Sequence, residues 1–167
     1  MQPILPEKMK YKRLTKEQFE ELHQEFINFL ATQSIAVDEW SSIKKNKPEV
    51  AEEELDVFSD LVWEGVLSNA TFLEHFSKNQ IHLFHLDESA MHLIAIKLNN
   101  DNIDLTTKKG YDWLRNNLMD DMVVFYNATK SYGDDANLDK FKLILQGATI
   151  TKGELYQYFE TLVGDME

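Results

Sequence analysis

His85 and His92 sit at equal distances on either side of a short polar stretch, Asp87-Glu88-Ser89-Ala90. The runs Ile81–Leu86 and Met91–Leu98 are apolar and short, and together they read as a β-hairpin. With the turn placed symmetrically between them, the two imidazoles face each other across the strands, near enough to share a metal ion. His75, Glu74 and Asp87 are the candidate further ligands. No spacing fixes any of them, and histidines on half-apolar strands more often pack with a satisfied nitrogen. His85 and His92 therefore stand as metal-site candidates only, and no cofactor is assigned.

Other chemistry finds less support. Asp120-Asp121 and Asp134-Asp135 are neighbours in sequence, and adjacent side chains point different ways rather than forming a catalytic pair. Asp134, Asp135, Asn137 and Asp139 lack the glycine and terminal glutamate that a calcium loop needs at set offsets. The six glycines are too scattered for a phosphate-cradling loop. No Ser-His arrangement has a nucleophile-elbow context. With no cysteine in the chain, thiolate catalysis and redox switching are excluded. The expected class is non-enzymatic.

Charge patterning is more informative. Between Pro48 and Phe76 lie eight acidic side chains and no Lys or Arg, in a protein of net charge −12. Glu49, Glu52, Glu53, Glu54, Asp56, Asp60 and Glu64 fall in a stretch whose apolar residues Ala51, Leu55, Phe58, Val62 and Val66, widened by Val57 and Leu61, recur at helical spacing. Pro48 suits the first turn of that helix, and acids suit the positive end of its dipole. A face carrying Glu52, Glu53, Asp56, Asp60 and Glu64, bordered by Trp63 as an aromatic anchor, points to docking on a basic surface.

Acidity lowers the expectation of direct nucleic-acid binding, which needs clustered cations. The exception is the cluster Lys8, Lys10, Lys12, Arg13 and Lys16 before and at the start of the first helix. No apolar run approaches the ~20 residues of a membrane span, and Met1–Pro6 leads into charged residues rather than a signal-peptide core. The protein is expected to be cytoplasmic.

The elements that must carry these residues follow from periodicity and caps. Thr15 and Gln18 have capping-box spacing, which predicts a helix over 15–32 through Phe19, Leu22, Phe26, Phe29 and Leu30. A short helix from Asp38 carries Trp40 and Ile43, and the acidic helix follows Pro48. Phe72–Phe76 reads as a helical turn, then comes the hairpin, apolar on both faces and so expected to be covered on both. Thr107 opens another helix, Met122–Tyr126 is a third strand, and Ser131–Asn137 is a loop. Leu138–Gln146 is a helix ended by Gly147. Thr151 and Glu154 cap a last helix ended by Gly164. The fold class is α+β, a central hairpin plus a third strand packed by five to six helices. Residues 1–14 read as a flexible basic leader and residues 15–167 as a single domain.

Tyr11-Lys-Arg-Leu-Thr15, the segment Pro48–Leu67 with Asp60-Leu-Val-Trp-Glu-Gly65, Glu74-His-Phe-Ser-Lys78 and Ile150-Thr-Lys-Gly-Glu-Leu155 resemble a flavobacterial family catalogued as a domain of unknown function. The resemblance runs over nearly the whole chain beyond the first ten residues. It implies a small acidic cytoplasmic protein and carries over no site residue.

The expected function is a non-enzymatic docking module, with an accessory subunit of the transcription machinery, associated with RNA polymerase, as the specific expectation. One alternative is a nucleic-acid mimic that inhibits a DNA-binding protein, which would need carboxylates spread over a wide surface. The other is a metal-assisted enzyme built on His85 and His92.

Overall fold

The computed structural model describes residues 9–166, and Lys8, the first of the basic cluster, lies outside them. Among the described residues seven helices and a five-stranded antiparallel sheet make an α+β fold. The chain divides into two compact units, Met1–Ser68 and Asn69–Glu167.

The first unit is helical: α1 (Lys16–Glu21), α2 (His23–Thr32), α3 (Val37–Asn46) and α4 (Pro48–Asn69). Thr15 caps α1 with the expected reciprocal bonds. Its hydroxyl accepts from the Gln18 amide, and Gln18 Oε1 accepts from the Thr15 amide at 2.9 Å. The helix expected over 15–32 is broken at Leu22, where φ is −100° and ψ 23°. Its two pieces turn Phe19 and Phe26 onto Phe58 of α4, with ring centroids 6.0 and 5.0 Å away. Leu14, Phe26, Phe29, Leu30 and Phe58 form the buried centre of this unit, each side chain contributing roughly 1.5–3 kcal/mol of burial.

The expected buried stripe of α4 needs correction. Ala51 and Phe58 are buried and Leu55 and Val62 pack on the core, but Val57, Leu61 and Val66 are 49%, 55% and 40% exposed. The apolar residues of α4 span more than one face, and the helix turns the face containing Ser59 inward instead. Ser59 is fully buried.

The second unit holds β1 (Phe72–Phe76), β2 (Gln80–Leu86), β3 (Ala90–Leu98), α5 (Lys108–Asn116), β4 (Val123–Ser131), α6 (Ala136–Leu145), β5 (Thr149–Ile150) and α7 (Glu154–Met166), with strand order β4-β3-β2-β1-β5. The hairpin register is the expected one, His85 opposite His92 and Leu86 opposite Met91. Asp87 fixes the turn by accepting the amides of Ser89 and Ala90 at 2.9 and 2.7 Å. One face of the sheet buries Ile81, Leu83, Ile94 and Ile96 with Leu114 of α5 and Phe159 of α7. On the other, Leu73 and Leu86 pack with Ala148 and with Leu143 and Ile144 of α6. Both greasy faces thus find partners.

Three local expectations are corrected. Phe72–Phe76 is a strand, because pairing with β2 on one side and β5 on the other satisfies its backbone where a lone turn could not. The third strand runs on to Ser131, opposite Ala90. Thr151 does not cap α7: its hydroxyl takes the amide of Gly153, whose φ of +83° forms the bend before Glu154, and the helix continues past Gly164. Gly147 does end α6 as expected. With φ at +120°, its amide donates to Ile144 and that of Ala148 to Leu143, a Schellman closure sealed by the Ala148–Leu143 contact.

Candidate functional site

The acidic face of α4 carries the site. A residue on a helix meets those three and four positions away, so Glu52, Asp56, Asp60 and Glu64 make one row. The segment Lys10–Leu14, which the sequence places in a flexible leader, lies along that row and runs opposite to it. Asp60 accepts the backbone amides of Lys10 and Tyr11 at 2.8 and 2.9 Å, one on each carboxylate oxygen. Glu64 accepts the Lys10 ammonium at 2.8 Å and the Tyr11 hydroxyl. Trp63 Nε1 donates to the Lys12 carbonyl at 3.1 Å. Arg13 binds Asp56 Oδ1 through Nε and Glu52 Oε2 through Nη2, each at 2.7 Å.

Beneath these polar contacts two side chains anchor the segment. Tyr11 and Leu14 are buried. The Leu14 amide donates to Ser59 Oγ at 3.1 Å, and that hydroxyl in turn donates to the Leu55 carbonyl at 2.7 Å. Burial, then the hydrogen bond to Glu64, pushes the Tyr11 phenol up to about 12. Burial alone would lower the Arg13 guanidinium, but its bonds to Asp56 and Glu52 carry it upward. Burial and the neighbouring Glu53 charge raise the Glu54 carboxyl.

Of the six partner-binding residues expected from sequence, Glu52, Asp56, Asp60, Trp63 and Glu64 are thus brought together around the chain's own basic segment. Glu53 stands apart and exposed. The pairing leaves the row accessible: the side chains of Glu52, Asp56 and Glu64 remain 61%, 38% and 40% exposed. Glu49 and Glu53 on α4 form no ion pair among the described residues. Ser59 was not among the expected residues. A serine inside a helix flanked by Phe58 and Asp60 carries little sequence signal, since its role depends on an amide 45 residues away.

The histidines are placed as the register requires, and each ring has partners within the fold. His92 Nε2 meets Asp87 Oδ2 at 2.6 Å and its Nδ1 meets Thr129 Oγ1 at 3.1 Å, so both ring nitrogens are engaged. The His85 ring stacks on Phe72 at 4.8 Å and borders Tyr156 at 5.5 Å. The hydrogen bond from His92, with the amides of Ser89 and Ala90, holds the Asp87 carboxyl well below the usual carboxylate range. Among the described residues no three His, Cys, Asp or Glu side chains come together in a metal-holding group, and no helix is long and apolar enough to cross a membrane.

A family model described as "Family of unknown function (DUF6495)" matches residues 9–164. No curated protein and no solved structure matches the chain.

Proposed function

The chain belongs to the family of unknown function DUF6495, and from its geometry we propose that it is a non-enzymatic docking module whose α4 meets a basic surface on a protein partner. One observation supports this reading above the others: α4 already receives a basic extended segment, Lys10–Leu14, through Asp60, Glu64, Asp56 and Glu52. The same face has the chemistry to receive lysines and arginines from outside. Surface ion pairs of this kind are worth about 0–1 kcal/mol each, so a partner's cations can share the exposed carboxylates with Lys10 and Arg13 in place. Glu49 and Glu53 offer charge that the segment does not use.

RNA polymerase in the cytoplasm is the specific partner we put first, because it presents extended basic surfaces. Opposite charge would there speed encounter and set orientation more than raw affinity. The nucleic-acid mimic is the weaker reading, since Lys10 and Arg13 interrupt the row of carboxylates. The test is isolation of the tagged chain from nuclease-treated native lysate at low and high salt. A defined assembly containing the polymerase subunits, weakened by salt, is the expected result. Recovery of the chain alone at low salt would overturn the reading.

A further inference from the structure

A second surface of the first unit has the opposite character. Helices α1, α2 and α3 enclose an open groove of about 570 Å³, within the roughly 300–1,000 Å³ range of small-molecule sites. Its floor is apolar and aromatic, formed by Phe19, Phe26, Leu30, Trp40 and Leu55. The groove stays open because α3 has no buried residue and reaches the core chiefly through Trp40, which sets its ring edge-on to Phe26 at 5.2 Å. Val37, at the start of α3, is left 59% exposed at the mouth.

The rim is basic in a protein that is otherwise strongly acidic. Arg13, Lys16, His23 and Lys44 line it, against the single acid Glu20. Arg13 is committed to Asp56 and Glu52. Lys16 and Lys44 form no ion pair among the described residues, and Lys44 Nζ lies 5.9 Å from the centre of the Trp40 ring. An apolar trough bordered by two ammonium groups that form no ion pair among the described residues fits a ligand with a greasy body and an anionic end. We propose that this groove binds a single-chain anionic amphiphile, the acyl chain lying on Phe19, Phe26 and Trp40 and the carboxylate between Lys16 and Lys44. The groove adjoins the acidic face at Arg13, but the proposed ligand is held by Lys16 and Lys44, so the proposal stands or falls independently of the docking role.

Isothermal titration of the full chain with laurate below its micelle concentration tests this, with dodecyltrimethylammonium as a probe of similar chain length and opposite charge. One-to-one laurate binding is expected, with the cation at least tenfold weaker. The Lys16→Glu/Lys44→Glu variant changes two exposed residues; Glu suits the first turn of α1 but opposes the dipole in the last turn of α3, so its melting temperature is measured alongside. It should weaken laurate by about tenfold and narrow or reverse the preference. Ser41→Trp, which narrows the mouth without touching the core, should weaken both probes. Equal binding of the two probes, or laurate affinity unchanged in the Lys16→Glu/Lys44→Glu variant, would overturn the proposal. So would absence of saturable laurate binding, including the case in which an acidic amphipathic peptide binds instead and marks the groove as a protein site.

Discussion

Arg13 Nε and Asp56 Oδ1 lie 2.7 Å apart, joined across 43 residues of chain. It is the most conspicuous of the contacts that hold the basic segment on α4, but not the most costly to lose. Both side chains are more than a third open to water or close to it, and exposed pairs contribute little. Arg13→Ala is therefore expected to cost no more than about 1–2 kcal/mol for the bonds to Asp56 and Glu52 together, read as a shift in the urea midpoint without a change in slope. A larger loss in high salt than in low salt would contradict the electrostatic origin.

Ser59→Ala should cost more than its size suggests. The hydroxyl is fully buried and is the partner of the Leu14 amide, and an unsatisfied buried donor costs about 1–3 kcal/mol. Urea unfolding of this variant beside Arg13→Ala gives the ranking, and a Ser59→Ala protein as stable as the parent would show that Leu14 does not depend on it.

How much of this was legible before the structure differs by element, and for physical reasons. The hairpin register could be read because two apolar runs flank a polar turn symmetrically, so Leu86 must face Met91 if both faces are to bury. The Thr15 and Thr107 caps and the Pro48 start of α4 are local chemistry and appear where the residues demand. Phe72–Phe76 is too short to declare itself, and only its neighbours β2 and β5 make it a strand. The contact of Lys10–Leu14 with α4 leaves no local mark at all, since Asp60 spends its carboxylate on backbone amides that any residue type could offer. A signal did exist: a basic cluster and an acidic i, i+4 row in the same chain are complementary to each other before they are complementary to any partner.

Acid sensitivity is expected at His82, where burial first, and then the facing charge of His75, lowers the imidazole below its usual 6.5. Gln80 Oε1 at 2.9 Å and the Phe84 ring are its other neighbours. The fold favours the neutral ring, so the unfolded chain binds more protons just below pH 6.5. The stability this group supplies is full above 6.5 and is lost as pH falls through its lowered folded value. Melting temperatures between pH 7.5 and 5 should fall for the parent and fall less for His82→Gln. Parallel curves would assign the pH dependence elsewhere.

Chelation should leave the second unit unchanged. His92 already gives both nitrogens to Asp87 and Thr129, so the melting temperature with and without EDTA is expected to coincide. Asp87→Ala, by contrast, frees His92 and the amides of Ser89 and Ala90 together and should lower it. A melting temperature that drops in chelator would reopen the metal reading of the histidine pair.

The structure also changes which substitutions test docking. Reversing Glu52, Asp56 or Asp60 would detach the chain's own segment and confuse lost folding with lost binding. Glu49 and Glu53 are exposed and form no ion pair among the described residues, although Glu49 favours the first turn of α4. The most direct measurement is therefore the amount of the low-salt, nuclease-resistant assembly recovered by Glu49→Lys/Glu53→Lys relative to the parent, with melting temperatures compared alongside. The account predicts a melting temperature lowered by no more than a few degrees, through the charge lost at the α4 N-terminus, and loss of most of the assembly. A variant that melts within those few degrees of the parent and retains the assembly in full would contradict it.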